Sequence, residues 1–244
     1  MISKKKILSI ILARKNSKEL PGKNTRDLNG KPLLAWPIVA SINSKYIDKT
    51  LLSTDSEEYA EIGNNYGAST PFLRPQSLSN DSSKSVDAIL HAIDFLKAEG
   101  EHYDYVVLLE PTSPLTQSSD IDTAIENLVS HKNFSSTVSM SEVVSSHPSF
   151  CFKIDDDMKI YPNHGNTDNM SHKRRQDLNK LYFCDGSLYI SEIDRLVNSR
   201  TFYHDETLAF IVPKWKAFEI DTDLDFFIIE QIMSYYKEDE YKKK

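Results

Sequence analysis

The sequence is poor in cysteine and has no long apolar run. Its two cysteines, Cys151 and Cys184, form neither a C-x-x-C pair nor a spacing typical of metal ligands. So few thiols favour a reducing compartment, and we therefore expect a cytoplasmic protein. No apolar stretch approaches the length that crosses a bilayer, so we expect no membrane-spanning helix.

Motifs that identify several common classes of enzyme are also absent. The P-loop G-x-x-x-x-G-K-[ST] is missing. The dinucleotide-binding fingerprint G-x-G-x-x-G is missing too, which argues against a dinucleotide oxidoreductase. H-E-x-x-H and G-x-S-x-G are missing as well, so neither a zinc hydrolase nor a serine hydrolase is indicated. The 36 acidic residues against 29 Lys and Arg argue against binding to nucleic acid through a broad basic face.

The arrangement of apolar residues predicts an α/β fold. Over roughly the first 130 residues, short apolar runs such as Ile7–Leu12, Thr50–Ser53 and Tyr105–Leu109 alternate with helically spaced patterns. This alternation predicts a mostly parallel sheet with helices on both faces. The 244 residues suffice for one large core and contain no dividing linker, so we predict a single domain over 1–244.

The first apolar run needs a separate interpretation, because it follows the basic residues Lys4–Lys6 as a signal peptide would. The run Ile7–Ala13 is short for a signal, contains Ser9 and ends on Arg14 and Lys15 without a small-residue cleavage site. We interpret it as the first strand of the sheet, buried on both faces.

Helix ends are predicted from proline and capping residues. Pro32 is predicted to lie in the first turn of a helix, which Pro37 would kink near its start. Ser56 is predicted to cap the next helix, with Glu57 and Glu58 in the first turn, where the helix dipole favours them.

A basic loop follows the first strand. Between Arg14 and Lys31, six basic side chains stand against two acidic ones in a chain of net charge −7. The carboxyl end of a buried strand is where an open α/β sheet binds an anionic ligand. Arg and Lys would stabilise phosphate oxygens there, and Ser17 and Asn24 could add hydrogen bonds. The alternative is a solvated basic loop that binds nothing.

Several blocks of the sequence resemble one enzyme family. Ala13–Asn24 has the pattern A-R-x-x-S-K-x-x-P-x-K-N, and Asn29–Leu34 reads N-G-K-P-L-L. Both resemble the nucleotide-binding signature of the N-acylneuraminate cytidylyltransferases, the CMP-sialic acid synthetases. Leu108–Leu115 resembles the family's L-L-Q-P-T-S-P-L, and Phe218–Asp225 resembles its I-D-I-D-T-x-x-D-L. The blocks occur in the family's order along most of the chain.

The resemblance implies roles for individual residues. CTP would be bound by Arg14, Ser17, Lys18, Lys23, Asn24, Arg74 and Ser85. The acceptor sugar would contact Glu110, Arg175, Tyr182 and Asp185, with Arg175 binding the acceptor's carboxylate. Arg14, Lys23 and Asp221 would carry the catalysis.

A pair of carboxylates near the end of the chain predicts a metal site. Glu219 and Asp221 alternate along a predicted strand, so both would face one side. Neighbouring carboxylates repel each other unless a cation lies between them, and oxygen ligands suit Mg²⁺. The resemblance favours this site, although the family usually has Asp where Glu219 stands. Asp223 and Asp225 are explained more simply by a helix N-terminus, where the dipole stabilises them.

From Ser136 the rhythm of the sequence changes. Strand-like runs alternate with polar turns, and Asn163–Asn179 has almost no apolar anchors. We interpret about 137–179 as an excursion from the sheet with a thin core of its own. The resemblance implies that this excursion forms a homodimer and that a partner subunit completes each sugar site.

The implied reaction joins CTP to a nine-carbon 2-keto sugar acid, a nonulosonic acid, and releases pyrophosphate for surface glycan synthesis. Alternative acceptors are legionaminic acid, pseudaminic acid and Kdo. The alternative from another class of protein is a nucleotide-binding regulator without catalytic activity. Glu110 replaces the family's usual Gln, and Asp185 replaces its usual Asn. Because a carboxylate suits extra nitrogen substituents better than an amide does, we hypothesise a preference for a diamino or amidino nonulosonic acid.

Overall fold

A computed structural model describes residues 4–15, 20–163 and 174–242, with the backbone alone for Arg175 and for 237–242. The strands are β1 Ile7–Ala13, β2 Asp27–Leu28, β3 Lys31–Pro32, β4 Lys49–Thr54, β5 Tyr105–Leu109, β6 Ser136–Glu142, β7 Phe152–Ile154, β8 Ile160–Pro162, β9 Tyr182–Glu192 and β10 Thr207–Ile211. The α-helices are α1 Ala35–Ile42, α2 Glu57–Asn65, α3 Ser85–Ala98, α4 Ser118–Ser130, α5 Ile193–Ser199 and α6 Asp223–Lys242.

The central sheet is mostly parallel, as predicted. Its six strands are ordered β10-β6-β9-β5-β1-β4. Strand β1 is parallel to both β4 and β5, and β10 is parallel to β6, whereas β9 runs antiparallel to its two neighbours. The central strands β1 and β5 are almost entirely buried, which accounts for their uninterrupted apolar sequences.

Helices cover both faces of this sheet, which confirms the predicted layers. On one face, α1, α2 and α4 pack against side chains such as Ile11 and Leu109. On the other, α3 and α5 pack against side chains such as Ile10 and Leu108. A third apolar cluster joins Leu28, Leu33 and Ile220 to the buried side of α6. The segment before α6 is thereby held beside the loop that follows β1.

The start of α1 differs from the prediction. Pro32 belongs to the short strand β3, and α1 begins at Ala35. Pro37 is the third residue of α1, within the first turn, where a backbone N–H has no partner inside the helix. Pro37 therefore costs α1 no hydrogen bond and gives no reason for a kink. The predicted cap at Ser56 is confirmed, because its side chain accepts a hydrogen bond from the Tyr59 N–H.

The predicted excursion begins within the central sheet. Residues 137–142 belong to β6, which pairs with β9 and β10, so the part that leaves the sheet starts at Val143. Outside the sheet, β7 and β8 form a separate antiparallel pair. Tyr182 then returns the chain to the sheet as the first residue of β9.

Among the residues that the structure describes, no helix is both long enough and apolar enough to cross a membrane.

Candidate active site

Lys23 connects the loop after β1 to the segment before α6. It begins a short 3-10 helix, Lys23–Thr25, and it is one of the few buried lysines of the described chain. Its Nζ donates hydrogen bonds to the Ile220 carbonyl at 2.9 Å and to Asp221 Oδ1 at 3.1 Å. A buried ammonium held at the carboxyl end of β1 is placed to meet an anionic ligand.

Arg14 lies directly after β1, and its guanidinium forms an ion pair with Asp81 at 2.7 Å. The Arg14 carbonyl accepts a hydrogen bond from the Asn24 side-chain amide at 3.4 Å. These contacts bring together the predicted residues Arg14, Lys23 and Asn24. Ser17 and Lys18, which were also predicted in this loop, lie outside the described residues.

Arg74 is only 6% exposed, so it is not the surface arginine that its residue type alone suggests. Its backbone N–H donates to the Thr54 carbonyl at the end of β4, and its Nε donates to Ser79 Oγ at 3.1 Å. Burial lowers the pKa of the guanidinium, the charge of Asp55 opposes this, and the charge of Arg14 adds to it. The remaining guanidinium N–H groups are therefore partly desolvated donors, which suit a planar polar ligand.

A cavity of about 250 Å³ opens between these residues, at the carboxyl ends of β1 and β5. Its lining includes Arg14, Arg74, Asp81, Ser85 and Glu110. Ser85 begins α3, so the first turn of that helix forms one wall. Two arginines and a helix N-terminus facing one cavity favour a negatively charged polar ligand.

Glu110 follows β5 and carries a perturbed carboxyl group. Burial, reinforced by the charge of Glu219, raises its pKa to about 7, while Lys23 and Arg74 oppose that rise. Glu110 therefore belongs to the same electrostatic neighbourhood as Lys23, Arg74 and Glu219. Its carboxyl group changes charge close to neutral pH, which makes it a candidate contact for a ligand.

The segment that carries Glu219 and Asp221 is not a strand of the sheet, contrary to the prediction. It is held instead by a hydrogen bond from the Ile220 N–H to the Thr112 carbonyl at 2.8 Å and by Lys23 on the Ile220 carbonyl. Asp221 is exposed, whereas Glu219 is partly buried. Burial and the charges of Asp221 and Asp185 raise the pKa of Glu219 to about 6.

Glu219 and Asp221 are too few to hold a cation by themselves, so a bound ligand would have to supply further oxygen atoms. Across the described chain, no group of three His, Cys, Asp or Glu residues is placed to hold a metal. Glu219 and Asp221 nevertheless repel each other, as the raised pKa of Glu219 indicates. Mg²⁺ commonly binds through one or two carboxylates together with substrate phosphates. The pair therefore fits a cation that a phosphate ligand helps to hold.

The structure separates the predicted sugar-binding residues. Glu110 faces the cavity, but Asp185 is only 2% exposed and its carboxylate accepts hydrogen bonds from Ser139 and Ser187. Tyr182 is exposed at the start of β9, where the chain returns from the excursion. Arg175 begins a short 3-10 helix, Arg175–Asp177. Glu110 thus lines the cavity, whereas the carboxylate of Asp185 is occupied by buried serine side chains of the same protein.

Tyr189 and Tyr203 form an aromatic surface beside Glu110, here called the aromatic shelf, which was not predicted from the sequence. Tyr189 of β9 pairs with Leu108 of β5, and Leu108 shares a face of the sheet with Glu110. Burial, Tyr203 and Glu110 all raise the pKa of the Tyr189 hydroxyl. Tyr203 is 53% exposed, and its ring meets that of Tyr189 edge to face at 6.5 Å. The register in which β5 pairs with β9 determines where these rings lie, and no feature of the sequence indicates that register.

The Glu110→Gln substitution is expected to stabilise the protein above neutral pH. Because the folded state raises the pKa of Glu110 from its ordinary value to about 7, folding favours the protonated form, and stability is lost as pH rises toward 7. Gln carries no such charge. The unfolding midpoint of the variant should exceed that of wild type at pH 8, and the difference should shrink at pH 5. Glu61→Gln, exposed on α2, is the control and should show no such trend.

Comparison with known proteins identifies the family. A family model described as "Cytidylyltransferase" matches residues 8–161. CMP-N,N'-diacetyllegionaminic acid synthase of Legionella pneumophila is 32% identical over 96% of this chain and 98% of its own length. N-acylneuraminate cytidylyltransferase of Streptococcus agalactiae is 36% identical over 91% of this chain and 52% of its own length, so this chain spans about half of that protein.

Solved structures agree with these relatives at the level of the fold. The structure of CMP:2-keto-3-deoxy-manno-octonic acid synthetase complexed with CTP superposes with a TM-score of 0.68, over 95% of this chain and 99% of the other, at 14% identity. At that identity the likeness concerns the fold alone. The family model, which covers more than half of the chain, and relatives above 30% identity along nearly all of it decide the assignment. The chain therefore belongs to the cytidylyltransferase family and is a CTP-dependent nucleotidyltransferase.

Proposed function

We propose that this enzyme transfers CMP from CTP to a nonulosonic acid, releases pyrophosphate and so supplies an activated sugar for surface glycan synthesis. The observation that carries the proposal is the hydrogen bond of buried Lys23 to Asp221, which unites the basic loop and the carboxylate pair in one crevice. Relatives along nearly the full chain include a synthase named for CMP-N,N'-diacetyllegionaminic acid. The test is pyrophosphate release with CTP and a panel of nonulosonic acids.

In the proposed reaction, the anomeric hydroxyl oxygen of the acceptor attacks the α-phosphorus of CTP. The new bond joins that oxygen to phosphorus, the bond to the pyrophosphate oxygen breaks, and the hydroxyl proton is released. Positioning and charge stabilisation supply most of the rate in such transfers. Lys23 and Arg14 would hold the triphosphate, with Ser17 and Lys18 in the same loop adding contacts. Pyrophosphate would then leave past these side chains of the basic loop.

The nucleoside would occupy the cavity at the ends of β1 and β5. The fork of Arg74 is fixed by Ser79 and lies where it can donate to a planar base. Ser85, which lines the cavity, and Asn24, which donates to the Arg14 carbonyl, would add polar contacts to the nucleoside. Buried Arg74 and a volume of about 250 Å³ support the proposed assignment of the nucleoside to this cavity.

A divalent cation, which we propose to be Mg²⁺, would be held by Glu219 and Asp221 together with phosphate oxygens. When bound, the cation neutralises phosphate charge and lowers the pKa of the acceptor hydroxyl. The chain itself contributes the two carboxylates and Lys23, whose ammonium orients Asp221. Because Glu219 has a pKa raised to about 6, protons should compete with the cation for this residue in mildly acidic solution.

The acceptor would lie between Glu110 and the aromatic shelf formed by Tyr189 and Tyr203. The shelf offers an apolar surface to acyl groups, and Glu110 accepts hydrogen bonds from N–H donors when it is ionised. An acceptor with two acylamino groups meets both requirements better than one with a single such group. Arg175 and Tyr182 are proposed to complete the site from the excursion, with Arg175 on the acceptor's carboxylate. Asp185, which is buried, is proposed to act without contacting the sugar.

The preference for the acceptor should depend on Glu110. Wild type is expected to favour a diacylamino nonulosonic acid over N-acetylneuraminic acid, and Glu110→Gln should shrink the ratio of their kcat/KM values by about tenfold, the effect of about 1.4 kcal/mol. Steady-state pyrophosphate release with both acceptors measures this ratio. If wild type favours N-acetylneuraminic acid and the variant leaves the ratio unchanged, Glu110 does not select the acceptor.

We propose that the enzyme is a homodimer, assembled through the excursion. Phe152, Ile154 and Ile160 lie on one face of the β7–β8 pair, each at least 43% exposed. Phe150 and Tyr161 expose further apolar surface nearby in sequence, and Phe183 does so on β9. A contiguous apolar face on a small two-stranded unit has too little core of its own and favours burial against another protein surface.

Ile154→Glu is expected to shift the protein to monomer, because it would bury a charge in the proposed interface. Light scattering across micromolar concentrations measures the change. Val197→Glu, which alters an exposed apolar residue on α5, is the matched control and should remain dimeric. A wild-type protein that is monomeric and fully active at nanomolar concentration would contradict the proposal.

We place the reaction in the cytoplasm, because Cys151 and Cys184 are both free and exposed thiols, which persist in a reducing compartment.

A further inference from the structure

Strand β9 departs from regular pairing beside the carboxylate pair. On β6, Val138 pairs with Tyr189 and Met140 pairs with Cys184, so Ser139 alone lies opposite the residues Asp185–Leu188. We call Asp185–Leu188 the β9 bulge. Bulges occur frequently next to active sites, where they redirect the chain and its side chains.

Ser139 is the centre of the hydrogen bonds that hold the β9 bulge. Its Oγ accepts from the Leu188 N–H at 3.0 Å and donates to Asp185 Oδ1. Ser187 Oγ lies 3.0 Å from both Ser139 Oγ and Asp185 Oδ2. All three polar side chains are at most 4% exposed, so each would lose its bonding partners without gaining water if the network were broken.

Gly186, within the β9 bulge, is pressed against the carboxylate of Glu219. Its φ of +77° is a conformation that side-chain-bearing residues rarely adopt. A Cβ added at Gly186 would overlap Glu219 Oε1 and come within 2.8 Å of Glu219 Cδ. The absence of a side chain at this position thus creates the space in which the Glu219 carboxylate lies.

We propose that the β9 bulge is a positioning device, in which the hydrogen bonds around Ser139 hold Gly186 beneath Glu219 and so fix where that carboxylate meets the divalent cation. The inference rests on the proposed function, because it requires Glu219 to be a cation ligand. It gives Asp185 a role inside the protein: its carboxylate secures Ser139 and Ser187, and its charge adds to the attraction for the cation. Ser139, Asp185 and Gly186 are positioning residues, since they act through Glu219.

The first test compares two glycine substitutions by titrating Mn²⁺ into the enzyme–CTP complex and following it by electron paramagnetic resonance. Gly186→Ala should raise the Kd for Mn²⁺ by about 10-fold to 100-fold, the range found when groups that orient metal ligands are altered. Glu219 can swing away from the new methyl group, so the fold should survive. Gly100→Ala is the control: Gly100 has a similar φ of +82°, but nothing lies within 4 Å of its added Cβ.

The second test compares two buried serines of β6. Ser139→Ala should raise the Kd for Mn²⁺ by about 10-fold, and excess Mg²⁺ should restore its turnover, because the ligands remain present but misplaced. Ser141→Ala is the control, since Ser141 is equally buried and its Oγ has no hydrogen-bond partner within the described part of the chain. Thermal unfolding of all four variants verifies that each is folded at the assay temperature.

Glu219→Gln separates the inference from the proposed function. If Glu219→Gln weakens Mn²⁺ binding while Gly186→Ala and Ser139→Ala match their controls within about twofold, the positioning role is overturned and the cation site stands. If Glu219→Gln binds Mn²⁺ as wild type does, the cation site fails and the positioning role fails with it. Weakened binding in Glu219→Gln, Gly186→Ala and Ser139→Ala together, with both controls unchanged, supports the inference.

Discussion

Lys23→Met is expected to lower kcat/KM for CTP by about 10²-fold to 10³-fold. Removing one preorganised charged donor from a catalytic site costs about 3 kcal/mol of transition-state stabilisation. Lys23 meets this description, because its ammonium is buried and fixed by the Ile220 carbonyl and Asp221. Methionine preserves most of the side-chain volume, so the loss should come from the charge. Steady-state pyrophosphate release at varied CTP measures the effect.

Lys216→Met provides a matched control for Lys23. Lys216 is also a buried lysine, and its Nζ contacts the Gln117 side chain at 3.1 Å and forms an ion pair with Asp120. It lies beside the N-terminus of α4 and is not among the residues that line the cavity. Its replacement should lower the unfolding midpoint but change kcat/KM by less than about threefold, a small part of the loss at a catalytic donor. Equal kinetic losses in both variants would mean that Lys23 acts only through stability.

Asp221→Asn is expected to abolish measurable turnover, with a loss of about 10³-fold or more. The substitution removes one of the two protein carboxylates that would hold the cation, and a bound metal supplies several kcal/mol of charge stabilisation in the transition state. Asp221 is exposed, so the substitution should leave the fold intact. The accompanying result is a raised Kd for Mn²⁺ in the enzyme–CTP complex, measured on the same preparation.

The neighbouring carboxylate supplies the control for Asp221. Asp223 begins α6 and pairs with Arg26 on the surface, at 74% side-chain exposure. Such exposed pairs contribute little, so Asp223→Asn should alter kcat/KM by less than about twofold. Full activity of wild type in excess chelator would contradict the metal-dependent account of Asp221.

The sheet could be predicted because its central strands have uninterrupted apolar sequences. Strand β1 and strand β5 are buried on both faces, and a strand in that position needs a short, β-branched apolar run. The cap at Ser56 was equally local, since one side chain meets one backbone N–H three residues away. The start of α1 was not, because Pro32 suits the first turn of a helix and a short edge strand alike.

The candidate site was predictable only where single residues carry its chemistry. Lys23 and Asp221 were identified from their chemical types and from the family resemblance, and the structure brings them into contact. Periodicity placed Glu219 and Asp221 on a strand. The segment is held instead by the Ile220 N–H on the Thr112 carbonyl and by Lys23 on the Ile220 carbonyl. The resemblance implied that Asp185 binds sugar. Its buried contacts with Ser139 of β6 and Ser187 of β9 could not be foreseen, because they depend on a bulge that the sequence does not reveal.

The most direct test of the account is to identify the product formed from CTP, Mg²⁺ and a diacylamino nonulosonic acid. Mass spectrometry should find the CMP-linked sugar acid, with one pyrophosphate released for each molecule formed, and neither product should appear with Asp221→Asn or in excess chelator. Stable binding of CTP without pyrophosphate release, across the whole panel of nonulosonic acids, would contradict the account and indicate a nucleotide-binding regulator.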